Sequence, residues 1–178
     1  MGRLREMPPV LPVCGVLSGG PEPVARSREM VEQHLGPVLL EGGPWAFDHT
    51  DYYTDEMGPG LQRWFWAFDN PIDPARLPHI KLATQRIETR LADPAGRRRV
   101  NLDPGYIELG KLVLASTKNH AHRIYLSKGI FGEVTLHYLK DRGWTATPWT
   151  FPDFASGRYN ELLDRARRHY IEALHEKP

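Results

Sequence analysis

One cysteine, Cys14, stands in a chain of 178 residues, so an intrachain disulfide and a thiolate metal cage are both excluded. It lies in an apolar stretch and reads as a small buried hydrophobe rather than a nucleophile. Long apolar runs are missing too. None approaches the ~20 residues that span a bilayer, and the opening MGRLREMPPVLPV lacks the extended apolar core of a signal peptide. The expectation is a cytoplasmic protein with no membrane partner. Charge of one sign is not in excess either: 23 Lys and Arg face 22 Asp and Glu, a net +1. That balance argues against nucleic acid or an anionic membrane as partner. Arg97-Arg98-Arg99 is the one dense basic run and reads as a solvated loop. No GxxxxGK[ST] loop, Ser-His-Asp order, Cys-His pair or HExxH string occurs, and no RNA-recognition string.

What is present is an ordinary globular composition, 40% hydrophobic and 25% charged, at a length suited to a single domain over 1–178 with a loose arm at 1–9. Val10 to Leu17 is short and apolar enough for a buried strand. Pro21 and Pro23 open a helix that Gly36-Pro37 ends, and a second strand starts at Val38 to Leu40, with a resumption near Trp45 to Phe47. Asp48 to Gly60 reads as a long loop and Leu61 to Phe68 as a third strand. A helix with Leu77, Ile80, Thr84, Ile87 and Leu91 on one face follows, its regular part delayed by Pro78, then a fourth strand at Val100 and Leu102. The order β-α-β-β-α-β predicts an α+β fold with a ferredoxin-like core. Tyr106 to Ser116 suits either a helix capped at Asp103-Pro104 or a strand at KLVLA. Strands near His122–Leu126, Ile130–Tyr138 and Trp144–Trp149 extend the core as a C-terminal hairpin and meander. Ser156 caps a final helix carrying Tyr159, Leu162, Leu163, Ala166, Tyr170 and Leu174 as its apolar stripe.

Asn101 to His137 is where polar groups intrude on a core pattern: His120, His122, Arg123, Glu133 and His137 sit among Ile124, Leu126, Val134 and Leu136. Buried charge is costly unless matched, so these groups form a network or a site. A three-residue loop Ser127-Lys128-Gly129 pairs Leu126 with Ile130 and sets Tyr125 against Phe131 and Arg123 against Glu133. Arg123, Glu133, Tyr125 and Thr135 then share one face, and His120, His122, Ile124, Val134 and Leu136 the other. A two-residue turn would shift the register and bring Glu133 beside the histidines.

His120 and His122, i and i+2 on a strand, are metal candidates, and Asp48 and Asp51, in a loop with His49, Asp55 and Glu56, could supply oxygens to a hard divalent cation. Solvated loop acids and packed histidines are the competing reading. Asp103, Lys118, Arg123 and Glu133 would converge if the loop after Asp48 and the turn at Asp103 share a sheet edge, with Tyr52 and Tyr53 as a wall. Such a mixed pocket suits a phosphorylated or carboxylated small molecule, and a salt-bridge network fixing the fold is the alternative. The expectation is a small anionic ligand, a nucleotide or phosphorylated metabolite. Arg123 and Lys118 are its anion contacts, and Glu133, Asp103, Asp48 and Asp51 are metal or base carboxylates. The rival is a non-catalytic protein- or RNA-interaction module that uses Trp45, Trp64, Phe65, Trp66 and Trp149 as a contact surface, with the RNA version the weaker, which leaves a homo-oligomer open.

FDHTDYYTDEMGPGL (47–61), VNLDPGYIELGKLVLASTKNHAHRIYLSKGIFGEVTLHY (100–138) and PWTFPDF (148–154) together resemble a bacterial family, domain of unknown function 4416. With the opening strand, the resemblance spans nearly the whole chain. It implies no reaction and supplies no catalytic residues.

Overall fold

The computed structural model describes residues 6–175. Along the chain run β1 (Leu11–Ser18), α1 (Pro21–Leu35), β2 (Val38–Ala46), α2 (Thr54–Met57), β3 (Gln62–Phe68), α3 (Leu77–Leu91), β4 (Val100–Ile107), β5 (Lys111–Ser116), β6 (Ile124–Ser127), β7 (Ile130–Leu139), β8 (Gly143–Ala146), α4 (Pro152–Ala155) and α5 (Asn160–His175). The strands form one eight-stranded sheet in the order β2-β3-β1-β4-β5-β7-β6, with β8 also on β7, and every pairing is antiparallel. The protein is therefore α+β, as its sequence pattern predicts.

Period-two alternation sorts the core into two layers. Cys14, Val16, Trp64, Trp66, Phe68, Val100 and Leu102 face α1 and α3, which contribute Val24, Val31, Leu35, Ile80, Ile87 and Leu91. Leu11, Val13, Phe65, Ala67, Ile107, Leu112 and Leu136 face the opposite way, onto Leu162, Leu163, Ala166 and Tyr170 of α5. β1 is buried along its whole length because both its faces are covered, hence its unbroken apolar run. Burial drives the Cys14 thiol well above its ordinary pKa, so it is an inert core group.

Several boundaries differ from the sequence reading. β2 is one continuous bulged strand. The loop after Asp48 holds the short helix α2. Asp103-Pro104 caps no helix: β4 runs through it, and β5 returns as its hairpin partner. Pro78 lies within the first turn of α3 rather than delaying it, and the turn Pro74–Arg76 precedes it. β8 stops at Ala146. Ser156 closes α4 instead of opening the last helix, which starts at Asn160. Of the arm at 1–9, residues 1–5 lie outside the described residues, and the Pro9 carbonyl accepts a hydrogen bond from Tyr170 Oη at 3.0 Å.

The feature that positions the site is a split in the sheet. β4 and β5 pair only from Gly105 to Ile107, opposite Leu114 to Leu112. Beyond that apex β4 continues along β1 alone and β5 along β7. Gly105 permits the close approach at the apex, since a Cβ there would lie 2.1 Å from the Val113 carbonyl oxygen and 2.7 Å from Leu114 Cδ2. Gly105→Ala should therefore cost about 1–3 kcal/mol, as overpacking of a tight core does. Urea denaturation checks this, and a loss under ~0.5 kcal/mol would mean that β5 yields freely.

Candidate functional site

Where β5 departs, the backbone of β4 needs other partners. Helix α3 supplies them: Lys81 Nζ donates to the Leu102 carbonyl at 2.7 Å, and the Leu102 N–H donates to Glu88 Oε1 at 2.6 Å. Lys81 and Glu88 are seven residues apart, two helical turns, so both leave the same face of α3. Peptide groups of one strand point alternately to either side, so Pro104 has its nitrogen on the split side with Leu102. A proline costs no hydrogen bond there. Burial raises the Glu88 carboxyl above its usual pKa against the pull of Lys81.

On the other face of β4, Asp103 is the centre of a charged floor. Its Oδ2 accepts from Arg63 Nη1 at 3.2 Å and Asn101 Nδ2 at 2.9 Å, and Lys81 Nζ lies 3.5 Å from Oδ1. Burial alone would raise this carboxyl, but Lys81 and Arg63 outweigh it and hold Asp103 ionised below its ordinary value. The Arg63 side chain is only 5% exposed and also lies 3.4 Å from Asp153, which accepts from Tyr159 Oη at 3.0 Å. Burial opposes its charge, yet Asp103 and Asp153 hold the guanidinium above its ordinary pKa. Its Nε is buried with no partner.

The hairpin β6–β7 forms the next wall. Tyr125 does sit opposite Phe131, but through a two-residue turn rather than the expected three-residue loop. Lys128 and Gly129 both take positive φ, 54° and 77°, the geometry of a tight hairpin turn, and Ser127 rather than Leu126 faces Ile130. A bulge at Leu126 absorbs the extra residue and restores the register beyond it. Arg123 Nε therefore donates to Glu133 Oε2 at 2.6 Å, with the Arg123 side chain 5% and the Glu133 side chain 2% exposed. Arg123 Nη1 also donates to Ser116 Oγ at 2.7 Å and to the Lys118 carbonyl at 3.1 Å. The expected face assignment of His122 is corrected: it reaches Glu133 Oε2 at 3.2 Å, because β6 starts only at Ile124 and residues 120–123 form a turn. Thr135 sits in a second bulge, after which Leu136 faces the α5 core.

Over the opening lies the segment from Phe47 to α2. Lys118 Nζ donates to Tyr52 Oη at 2.5 Å, which lowers the Tyr52 pKa, and the same ammonium lies 4.2 Å from the Tyr52 ring centre. Arg98 holds α2 through Glu56 with bonds of 2.6 and 2.5 Å, and sits over the Tyr53 ring. Burial pushes the Tyr53 phenol up to about 12. Phe47 packs on Arg63, with the guanidinium 5.0 Å from its centroid. Together these parts enclose a cavity of about 640 Å³, within the usual range for small-molecule sites. Arg63, Lys81, Arg98, Lys118 and Arg123 surround it with Glu88, Asp103, Glu133 and Asp153.

Five residues expected from sequence to bind a ligand, Lys118, Arg123, Glu133, Asp103 and Tyr52, all line this cavity. The metal candidates do not assemble. His120 lines the cavity, but Asp48 and Asp51 do not, and Asp48 lies 3.8 Å from His49 and 3.9 Å from Arg158. Among the described residues no group of three His, Cys, Asp or Glu is placed to hold a metal ion. Of the five residues of the expected aromatic surface, Trp64, Phe65 and Trp66 are buried on the two faces of β3, Trp45 is partly buried against the α5 layer, and Trp149 is exposed.

Sequence reasoning missed Arg63, Lys81, Glu88 and Asp153. The signals were there for three of them. Lys81 and Glu88 interrupt the apolar stripe of α3 beside Ile80, Thr84 and Ile87, and Arg63 has the parity of the buried Phe65. Asp153 sits in PWTFPDF with no local cue that it would be buried.

The arrangement is that of an α+β domain with a charged cavity let into the middle of its sheet. A family model described as a domain of unknown function, DUF4416, matches residues 8–170, and the chain belongs to that family. No curated protein and no solved structure matches it.

Proposed function

We propose that the chain binds a small anionic ligand, a nucleotide or phosphorylated metabolite, in the cavity between β4 and β5. The observation that carries this reading is the placement of buried charge. Apolar side chains of similar volume would hold the fold together at no greater cost than ion pairs do. Yet the buried charged residues among those described, Arg63, Lys81, Glu88, Glu133 and Asp153, all line this one cavity, together with the Arg123 guanidinium and half-buried Asp103. Lys118 and Arg123 stand on the mouth side as anion contacts, Lys118 exposed and Arg123 fixed by Glu133 and Ser116. The order β2-β3-β1-β4, with α1 and α3 on one face, supports reading the first half as a ferredoxin-like core whose added strands build the far wall. A cytoplasmic location goes with this reading. That no helix among the described residues is long and apolar enough to cross a membrane agrees with it.

A thermal-shift panel of nucleotides, sugar phosphates and inorganic phosphate tests the proposal. A ligand at 100 times its Kd adds about 2.7 kcal/mol, or roughly 5–10 °C for a chain of this size. Lys118→Ala, at an exposed position, should leave the unliganded Tm within about 1 °C and remove most of the shift. No shift with any member of the panel would defeat the proposal.

A further inference from the structure

Three rings stand in register beside the cavity mouth. His120 and His122 lie 5.8 Å apart between centroids with planes 1° from parallel, and His122 and Trp149 lie 5.6 Å apart at 13°. The middle ring does not drift, because buried Glu133 holds His122 through its Nε2 at 3.2 Å. One face of His120 is thus covered by His122. His120 itself is exposed and lines the cavity, while His122 does not line it. Tyr52, 62% exposed, and Phe151, 46% exposed, line the same cavity.

Exposed rings at the rim of a charged cavity have a specific use. A planar heterocycle gains offset stacking on a pre-positioned ring, and a flexible aliphatic ligand does not. We infer that the ligand is a nucleoside phosphate, its base extending the stack Trp149–His122–His120 and its phosphate reaching Lys118 and Arg123. The inference rests on the anion-binding reading above and adds the second half of the ligand. Size agrees: about 640 Å³ is more than inorganic phosphate or a small sugar phosphate fills, and it accommodates a base, a ribose and a phosphate together. The chemistry is consistent along the chain as well, since Lys118 and His120 are two residues apart on one loop.

Isothermal titration of the full chain with AMP, GMP, UMP, ribose 5-phosphate and adenosine tests it. A nucleoside monophosphate should bind at least tenfold more tightly than ribose 5-phosphate, the usual worth of one stacked base. His120→Ala should erase that difference while leaving ribose 5-phosphate binding unchanged, and His120→Phe, which keeps a ring, should preserve it. Equal affinity for ribose 5-phosphate and every nucleotide would overturn the stacking inference and leave the anion site standing. So would a His120→Ala variant that weakens both ligand types alike, or a His120→Phe variant no better than alanine. Failure of all the phosphates to bind would overturn the anion reading itself, and this inference with it.

Discussion

Glu133→Ala is expected to lower stability by about 3–5 kcal/mol, a large part of the 5–15 kcal/mol that holds a typical domain together. The carboxylate is 2% exposed and accepts from both Arg123 and His122 through Oε2. Its loss leaves the Arg123 guanidinium, 5% exposed, without an opposite charge while Ser116 and the Lys118 carbonyl still hold it in place. The Coulomb attraction of such a pair roughly offsets the desolvation of its two members, so removing one member exposes the whole penalty of the other. The joint replacement Arg123→Met with Glu133→Leu should therefore recover most of the stability lost by Glu133→Ala. Glu133 Oε1 has no hydrogen-bond partner, so the apolar pair also removes an orphaned acceptor. Denaturant titration of the variants decides the matter. A single-variant loss below about 1 kcal/mol would show that Arg123 finds water on leaving the pair, and the buried-network account would fall.

Arg63→Met should cost as much, and its cost should depend on pH. Asp153 is nearly inaccessible and would keep only the Tyr159 hydroxyl, while Asp103 would keep Lys81 and Asn101. At pH 7 the stranded carboxylates predict a loss of about 3–5 kcal/mol. In the native protein Asp103 is held below its ordinary 3.8, so its contribution is fully present above that value and is lost as the pH falls through the depressed one. Without Arg63 the Asp103 carboxyl loses one of the two cations that hold it down against burial, so its folded-state pKa rises. The variant can then take up protons on mild acidification that the native protein refuses. The stability gap between the two should narrow from pH 7 to about pH 5. Adding Asp153→Asn to Arg63→Met should recover part of the loss, giving a coupling energy of 0.5 kcal/mol or more. A gap that stays constant with pH, together with additive single costs, would separate Arg63 from both carboxylates.

Much of this was legible in the residues, and the limits of what was legible have physical causes. β1, α1, β3 and α3 follow from apolar runs and periodicity, since each buries a face that the pattern itself marks. Turn chemistry pairs Arg123 with Glu133, and the two meet although the turn is one residue shorter than expected. Two departures, the shorter turn and the bulge at Leu126, compensate each other. Asp103-Pro104 leaves helix and strand both open in the sequence because Asp-Pro is a common helix opening. The reason it lies in a strand, a missing neighbour on the side of the proline nitrogen, is a tertiary fact with no local trace. The placement of the two histidines departs from the expected strand for a similar reason. His120 and His122 have strand spacing but occupy a turn, where side-chain direction no longer alternates.

The split between β4 and β5 ties two things together that most folds keep apart. Lys81 and Glu88 stand in for an absent strand, while Ile80 and Ile87 beside them anchor the same helix to the core. Helix α3 thus has one side in the hydrophobic layer and another in the cavity lining. Anything that rotates or slides it changes the width of the opening as well as the packing beneath. On the proposed reading, ligand affinity at the mouth and stability of the interior would both depend on how α3 is seated.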